Sequence, residues 1–232
     1  MIIVLVIISV FSFYFFNAVK PKLPGHLLYA GISLVVLIAS ITAFVMHDTN
    51  HLGMKEEVTT KTYHLASLND KMNILTYKQL GTSGKEKVFV YKTSVNQKKP
   101  LKTRVAVDTK IALHENAKTN KVKVTSTHYV YKNTFSEVMF GILNDNKQLK
   151  NRHYDFYVDN SWLVVNTDTA AKLPTLLKSH QADIQAKVQD NLKASMQQAQ
   201  KDNANMSSEQ QINLQKQLLE EAKVKAIKQL LK

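Results

Sequence analysis

Cysteine is absent from all 232 residues, which excludes disulfides, thiolate chemistry and Cys-ligated zinc. Four prolines and six glycines are too few for a low-complexity chain. Acids are scarce: 18 Asp and Glu stand against 31 Lys and Arg, a net charge of +13. The first 46 residues hold no acid and only two cations, Lys20 and Lys22. Residues 47–232 therefore carry the other 29 basic and all 18 acidic side chains, a net +11. The overall mean hydropathy of −0.21 averages over that split.

What is present at the start is long apolar sequence. One run spans about 2–19, with only Ser9, Ser12, Tyr14 and Asn17 polar. A second spans 27–46 without a charge. A bilayer needs about 20 apolar residues per helix, with a range of about 17–25, so both runs qualify and the first is at the short end. Pro21, Pro24 and Gly25 break helices between them. The pattern predicts a two-span hairpin over 1–46 with the lipid bilayer as its solvent. A signal peptide carries its positive charge before the apolar run; here the lysines follow it. Lys20 and Lys22 are the topology determinants: they place the turn 17–26 in the cytoplasm, and the N-terminus and residues 47–232 outside the cell. Gly31, Ser33, Ala39, Ser40 and Ala43 are the candidate span-packing residues, small enough to let two helices approach.

After a linker over 47–56 the period changes to two. Candidate strands lie near 57–66, 72–79, 86–93, 103–108, 122–132, 136–142, 154–159 and 162–167, separated by turn chemistry at 81–84, 96–100, 144–146 and 159–160. Strands in series without intervening helices predict an antiparallel β-rich domain over 57–167. Seven tyrosines (Tyr63, Tyr77, Tyr91, Tyr129, Tyr131, Tyr154 and Tyr157) and Trp162 fall in it. They read as sheet packing with polar tips, and secondarily as a stacking platform for sugars or bases.

From 168 to 232 the period becomes helical. Leu173, Leu177, His180, Ile184, Val188, Leu192, Ser195 and Ala199 fall at three- and four-residue steps, predicting one helix of about 30 residues from near Pro174. It ends at 202–205. Ser207 and Gln210 form a capping-box signal for a second helix carrying Ile212, Leu219, Ala222, Ala226 and Leu230 on one face. The fold class is thus α+β and membrane-anchored: a transmembrane hairpin, an antiparallel β-rich domain and a C-terminal amphipathic helical hairpin.

Chemistry is sparse. Gly81 to Lys85 has two residues between its glycines where a phosphate loop needs four, so it reads as a hairpin turn. His47 and His51 share a helical face, but no third ligand stands at a recognisable spacing, so no metal is assigned. Glu56 with Glu57, and Glu220 with Glu221, read as solvated faces. His64, His114, His128, His153 and His180 are scattered, and an envelope enzyme requires folding to gather some of them. No cofactor is called for. Nucleic acid is not expected, because the lysines are spread along the chain and no binding motif appears.

Several words of the sequence resemble a known family: Asn50 to Lys55 with Thr59 to Thr62, Met72 to Tyr77 with Gly81 to Val88, Tyr129 to Asn133 with Phe140 and Gly141, and Trp162 to Val165. Together, and nearly end to end, they resemble two-span membrane proteins of lactobacilli and relatives whose domain has no assigned function. The resemblance implies a Gram-positive cell membrane, brings no catalytic residues, and admits a role beside a multidrug transporter. The expected function is a non-catalytic, membrane-anchored interaction module. Its β-rich domain and C-terminal helices are expected to bind an anionic envelope polymer or another membrane protein, with the exposed faces of helices 174–202 and 208–231 as the candidate protein-binding surface. An accessory transporter subunit is the alternative, and an envelope enzyme the third reading.

Overall fold

The computed structural model describes residues 1–81, 86–202 and 207–231. The turn expected at 81–84 and the helix end expected at 202–205 therefore fall largely outside the described residues. The chain divides into two compact units: Met1–Thr59 with Ser126–Asn151, and Thr60–Thr125 with Arg152–Lys232.

In the first unit, α1 (Ile2–Tyr14) continues as a wider helical turn through Phe15–Val19, and α2 spans His26–Asn50. Both are long and apolar enough to cross a membrane. Gly25 enters α2 with φ +79°, a conformation that glycine adopts without steric cost. α2 buries Ala30, Ser33, Ser40 and His47, a stripe at three- and seven-residue steps along one side. Ser33 donates to the Tyr29 carbonyl at 2.8 Å, so Ser12, 2.7 Å from the Ser33 oxygen, is the donor between the two hydroxyls. Phe16 and Tyr29 pack with ring centroids 5.1 Å apart. Leu27, Val35 and Ile38 face outward and are exposed.

Residues 47–56 form the last turn of α2, a turn at 51–53 and the start of β1 (Met54–His64). The other strands are β2 (Ile74–Leu80), β3 (Glu86–Tyr91), β4 (Leu101–Lys102), β5 (Thr109–His114), β6 (Lys121–Tyr131), β7 (Gln148–Tyr157) and β8 (Leu163–Asn166). They make two four-stranded sheets, ordered β1-β6-β7-β5 and β4-β3-β2-β8. The sheets are mixed, which corrects the antiparallel expectation. β2 and β3 are antiparallel (Thr76 opposite Val90), but β2 runs parallel to β8 (Ile74 beside Leu163) and β5 parallel to β7 (Thr109 beside Arg152). Parallel partners are distant in sequence, and a pattern read strand by strand carries no sign of them.

Two expected strands are not found. Residues 136–142 belong to a helix, α3 (Thr134–Phe140), with a 3₁₀ turn over Gly141–Leu143. Asn133 caps it, its side chain accepting from the Ser136 amide at 2.9 Å. Residues 103–108 lie outside the strands because Thr103 ends the ladder: its hydroxyl, in place of a carbonyl, accepts from the Phe89 amide at 3.0 Å.

The second unit's core gathers Leu75, Phe89, Tyr91, Val122, Phe156 and Trp162, with the Phe89 and Phe156 rings 4.8 Å apart. Burial first, then Tyr154 and Tyr63, pushes the Tyr91 hydroxyl up to about 12. The single helix expected from Pro174 is two, α4 (Thr167–Ser179) and α5 (Gln181–Asp202). Asn166 caps α4 by accepting from the Asp168 amide, which starts it seven residues before Pro174. Ser179 turns its hydroxyl back onto the Thr175 and Leu176 carbonyls, a bond that competes with helix continuation. α6 (Ser208–Leu230) has the capping box on Ser207 and Gln210. It buries Ala222, Val224, Ala226 and Ile227, while Ile212 is exposed. Val224 and Ile227 join Ile74, Leu163, Val165 and Leu173 in a second apolar cluster.

Candidate functional site

The most completely buried polar group of the first unit is His47, whose side chain is 0% exposed. It sits on the last turn of α2, on the same stripe as Ser33 and Ser40. Its Nδ1 is 2.6 Å from the Leu52 carbonyl and its Nε2 2.6 Å from the Asp145 carboxylate. Both ring nitrogens are thus engaged within the fold, one by a backbone carbonyl and the other by a carboxylate. The ring lies flat on Phe140, centroids 4.0 Å apart at 2°. Asp145, in the turn after α3, also accepts from the Tyr131 hydroxyl. Burial of Asp145 works against its ionisation, but the hydrogen bonds from Tyr131 and His47 outweigh it and hold the carboxyl below its ordinary range. Burial and the bond to Asp145 push the Tyr131 hydroxyl up to about 12.

Around this cluster the backbone is specialised. Gly53 has φ +83°, and a Cβ there would stand 3.0 Å from Ser136 Oγ and 3.1 Å from Phe140 Cε2. His51, which ends α2 in the left-handed region, stacks on Tyr129 at 3.7 Å. Lys150 pairs with Glu56, which raises the lysine above its ordinary value. The Met1 amine donates to the Val138 and Met139 carbonyls of α3 at 2.9 and 3.0 Å. Chemically, the cluster is a clamp: both nitrogens of His47 are occupied by partners within the fold. Among the described residues no group of three His, Asp or Glu is placed to hold a metal ion.

The second unit offers a cavity of about 680 Å³ lined by Tyr77, Phe89, Ile111 and Leu113, with Lys87 and Arg104 among its polar residues. A groove of about 520 Å³ is lined by Ile184 and Val188 of α5, Leu219 and Ile227 of α6, Leu177 of α4 and Met72. On β5 and β7, His114 and His153 share one oxygen of Asp155, at 3.5 and 2.9 Å.

Of the residues singled out from sequence, Ser33 and Ser40 are buried on the α2 stripe and Ala43 is half-buried. Gly31 and Ala39 face outward, and the stripe instead takes in Ala30 and His47. Lys20 and Lys22 are exposed in the turn between α1 and α2. His47 and His51 do not converge: one bonds to Asp145, the other stacks on Tyr129. His64 is exposed, His128 half-buried, and His180 pairs with Asp183 at 3.7 Å. Asp145, Tyr131 and Phe140 were not legible as partners of His47. Asp145 lies 98 positions away, and its Asn-Asp-Asn context signals only a turn.

The chain belongs to the family described as Domain of unknown function (DUF4811), whose model matches residues 23–173. The match takes in α2, all eight strands, α3 and the start of α4. No curated protein and no solved structure matches the chain.

Proposed function

We propose that this protein is a non-catalytic interaction module anchored in the cell membrane of lactobacilli and related Gram-positive bacteria, with α1 and α2 as its two spans. The observation that carries the reading is the division of α2 into a buried stripe of Ala30, Ser33, Ser40 and His47 and an exposed apolar remainder. Helices that bury small and polar side chains against each other and turn large apolar ones outward suit hydrocarbon rather than water. The His47 clamp then fixes the end of α2 to the rest of its unit. Residues 47–232 lie outside the cell, with the turn at Lys20 and Lys22 cytoplasmic. Their net charge of +11 suits an anionic envelope polymer, an attraction that weakens with salt. The α5–α6 pair acts as an amphipathic hairpin whose outer faces receive a protein partner.

Cysteine labelling tests the topology, because the chain has none of its own. Asn17→Cys and Lys123→Cys are introduced separately, and intact cells are treated with an impermeant maleimide. Labelling at 123 and not at 17 is expected. Labelling at 17 and not at 123 inverts the orientation and removes the envelope polymer as a partner.

A second reading, an accessory subunit of a transporter, is favoured by a groove on the outward side of α2. It measures about 350 Å³ and is lined by Leu27, Leu28, Gly31, Ile32, Val35 and Val36. A Cβ at Gly31 would meet nothing within 4 Å, which leaves room for a side chain of a neighbouring span. Co-purification of a transporter in mild detergent, lost in Gly31→Leu, supports this reading; its absence from both preparations removes it.

A further inference from the structure

The helix found where a strand was expected presents an apolar face that nothing in its unit covers. Phe135, Val138 and Ile142 fall at three- and four-residue steps, and so on one side of residues 134–143. They are 70, 53 and 60% exposed. The other side is fixed: Ser136 and Phe140 are buried, with Phe140 under the His47 ring and Ser136 against Gly53. Glu137 lies away from the apolar face and is exposed. Three large apolar side chains exposed together on ten residues of a short apolar helix are a costly surface to leave in water.

Its position says what covers it. α3 is held at the last turn of α2 by His47 and Phe140, and beside the first residues of α1 by the Met1 amine. Those are the two helix ends that lie opposite the Lys20–Lys22 turn. Exposed apolar side chains continue from there along both helices: Val45 and Met46 on α2, Ile3 and Val4 on α1. Exposed lysines flank α3, Lys132 before it and Lys147 after it, where headgroup phosphates would stand.

We infer that residues 134–143 form an interfacial membrane helix, inserting Phe135, Val138 and Ile142 into the headgroup–acyl boundary of the leaflet in which α2 ends. The inference rests on the reading of α1 and α2 as spans. It gives the anchor a third contact, lying along the membrane, that fixes how the first unit meets the surface.

The test uses the full chain in nanodiscs of phosphatidylcholine and phosphatidylglycerol. Single cysteines at Phe135, Val138 and Ile142 carry a nitroxide, with Glu137→Cys as the polar-face control and Ile38→Cys as the span control. Collision with oxygen, which concentrates in lipid, is compared with collision with a water-soluble nickel chelate. Oxygen dominating at 135, 138 and 142, with nickel dominating at 137, is expected. Nickel dominating at all four while oxygen dominates at 38 overturns the interfacial helix and leaves the spans standing. Nickel dominating at 38 as well overturns both.

Discussion

His47 is a polar ring on an apolar helix, and its surroundings give it two acceptors and a flat aromatic face. Removing one partner of such a buried set costs more than the bond's net worth, because the other partner stays buried and unpaired. Asp145→Asn is therefore expected to lower stability by about 2 kcal/mol, read as a drop in the thermal midpoint of the full chain in nanodiscs. The pH dependence has a definite sign. Asp145 titrates below its ordinary value of about 3.9 in the folded state, so in acid the unfolded chain binds the extra proton. Its contribution is complete above that value and is lost as pH falls through the folded one. A melting series is expected to show this acid limb in the parent and a flatter one in Asp145→Asn. At the other extreme, Tyr91 and Tyr131 hold their protons to about 12, so stability falls once pH exceeds about 10, where unfolded tyrosines ionise. Gly53→Ala combines a positive φ with a Cβ pressed on Ser136 and Phe140, and is expected to cost about 2 kcal/mol in the same melting assay.

At the scale of the elements, caps and local hydrogen bonds set several boundaries. Asn133→Ala removes the acceptor for the Ser136 amide and is expected to destabilise by about 1 kcal/mol, with added exchange at the first amides of α3. The α1–α2 contact tolerates small side chains and a hydroxyl pair. Ser33→Leu would overpack the stripe and break the Ser12 bond, at an expected cost of about 1–3 kcal/mol in the melting assay. The apolar runs, most of the strands and the capping box at Ser207 were legible because each depends on neighbours within a few residues. α3 was not, because its Val138-Met139-Phe140 core reads equally as a buried strand, and only the Asn133 cap decides. The split between α4 and α5 was hidden likewise: the face of Leu173, Leu177, Ile184, Val188 and Leu192 keeps helical period straight through His180.

Over the whole molecule, composition alone separates an apolar, nearly uncharged start from a basic remainder, and that division follows from counting residues. The candidate site was not legible in this way. His47 and Asp145 are 98 positions apart, and nothing in either context announces the other. The same holds for Gly31 and Ala39, which share small size with Ser33 and Ser40 but lie off the stripe that packing selects. Sequence by itself determined the two apolar helices, the position of the lysine turn, the β-rich middle and the helical end. Those follow from periodicity and from the transfer preference of side chains, which act locally. Only the tertiary structure decided that β2 pairs with β8 and β5 with β7 in parallel, that His47 is clamped, and that Phe135, Val138 and Ile142 point away from the fold. Each depends on which distant surfaces close on one another, and hydrophobic attraction, having no direction, leaves that choice to packing.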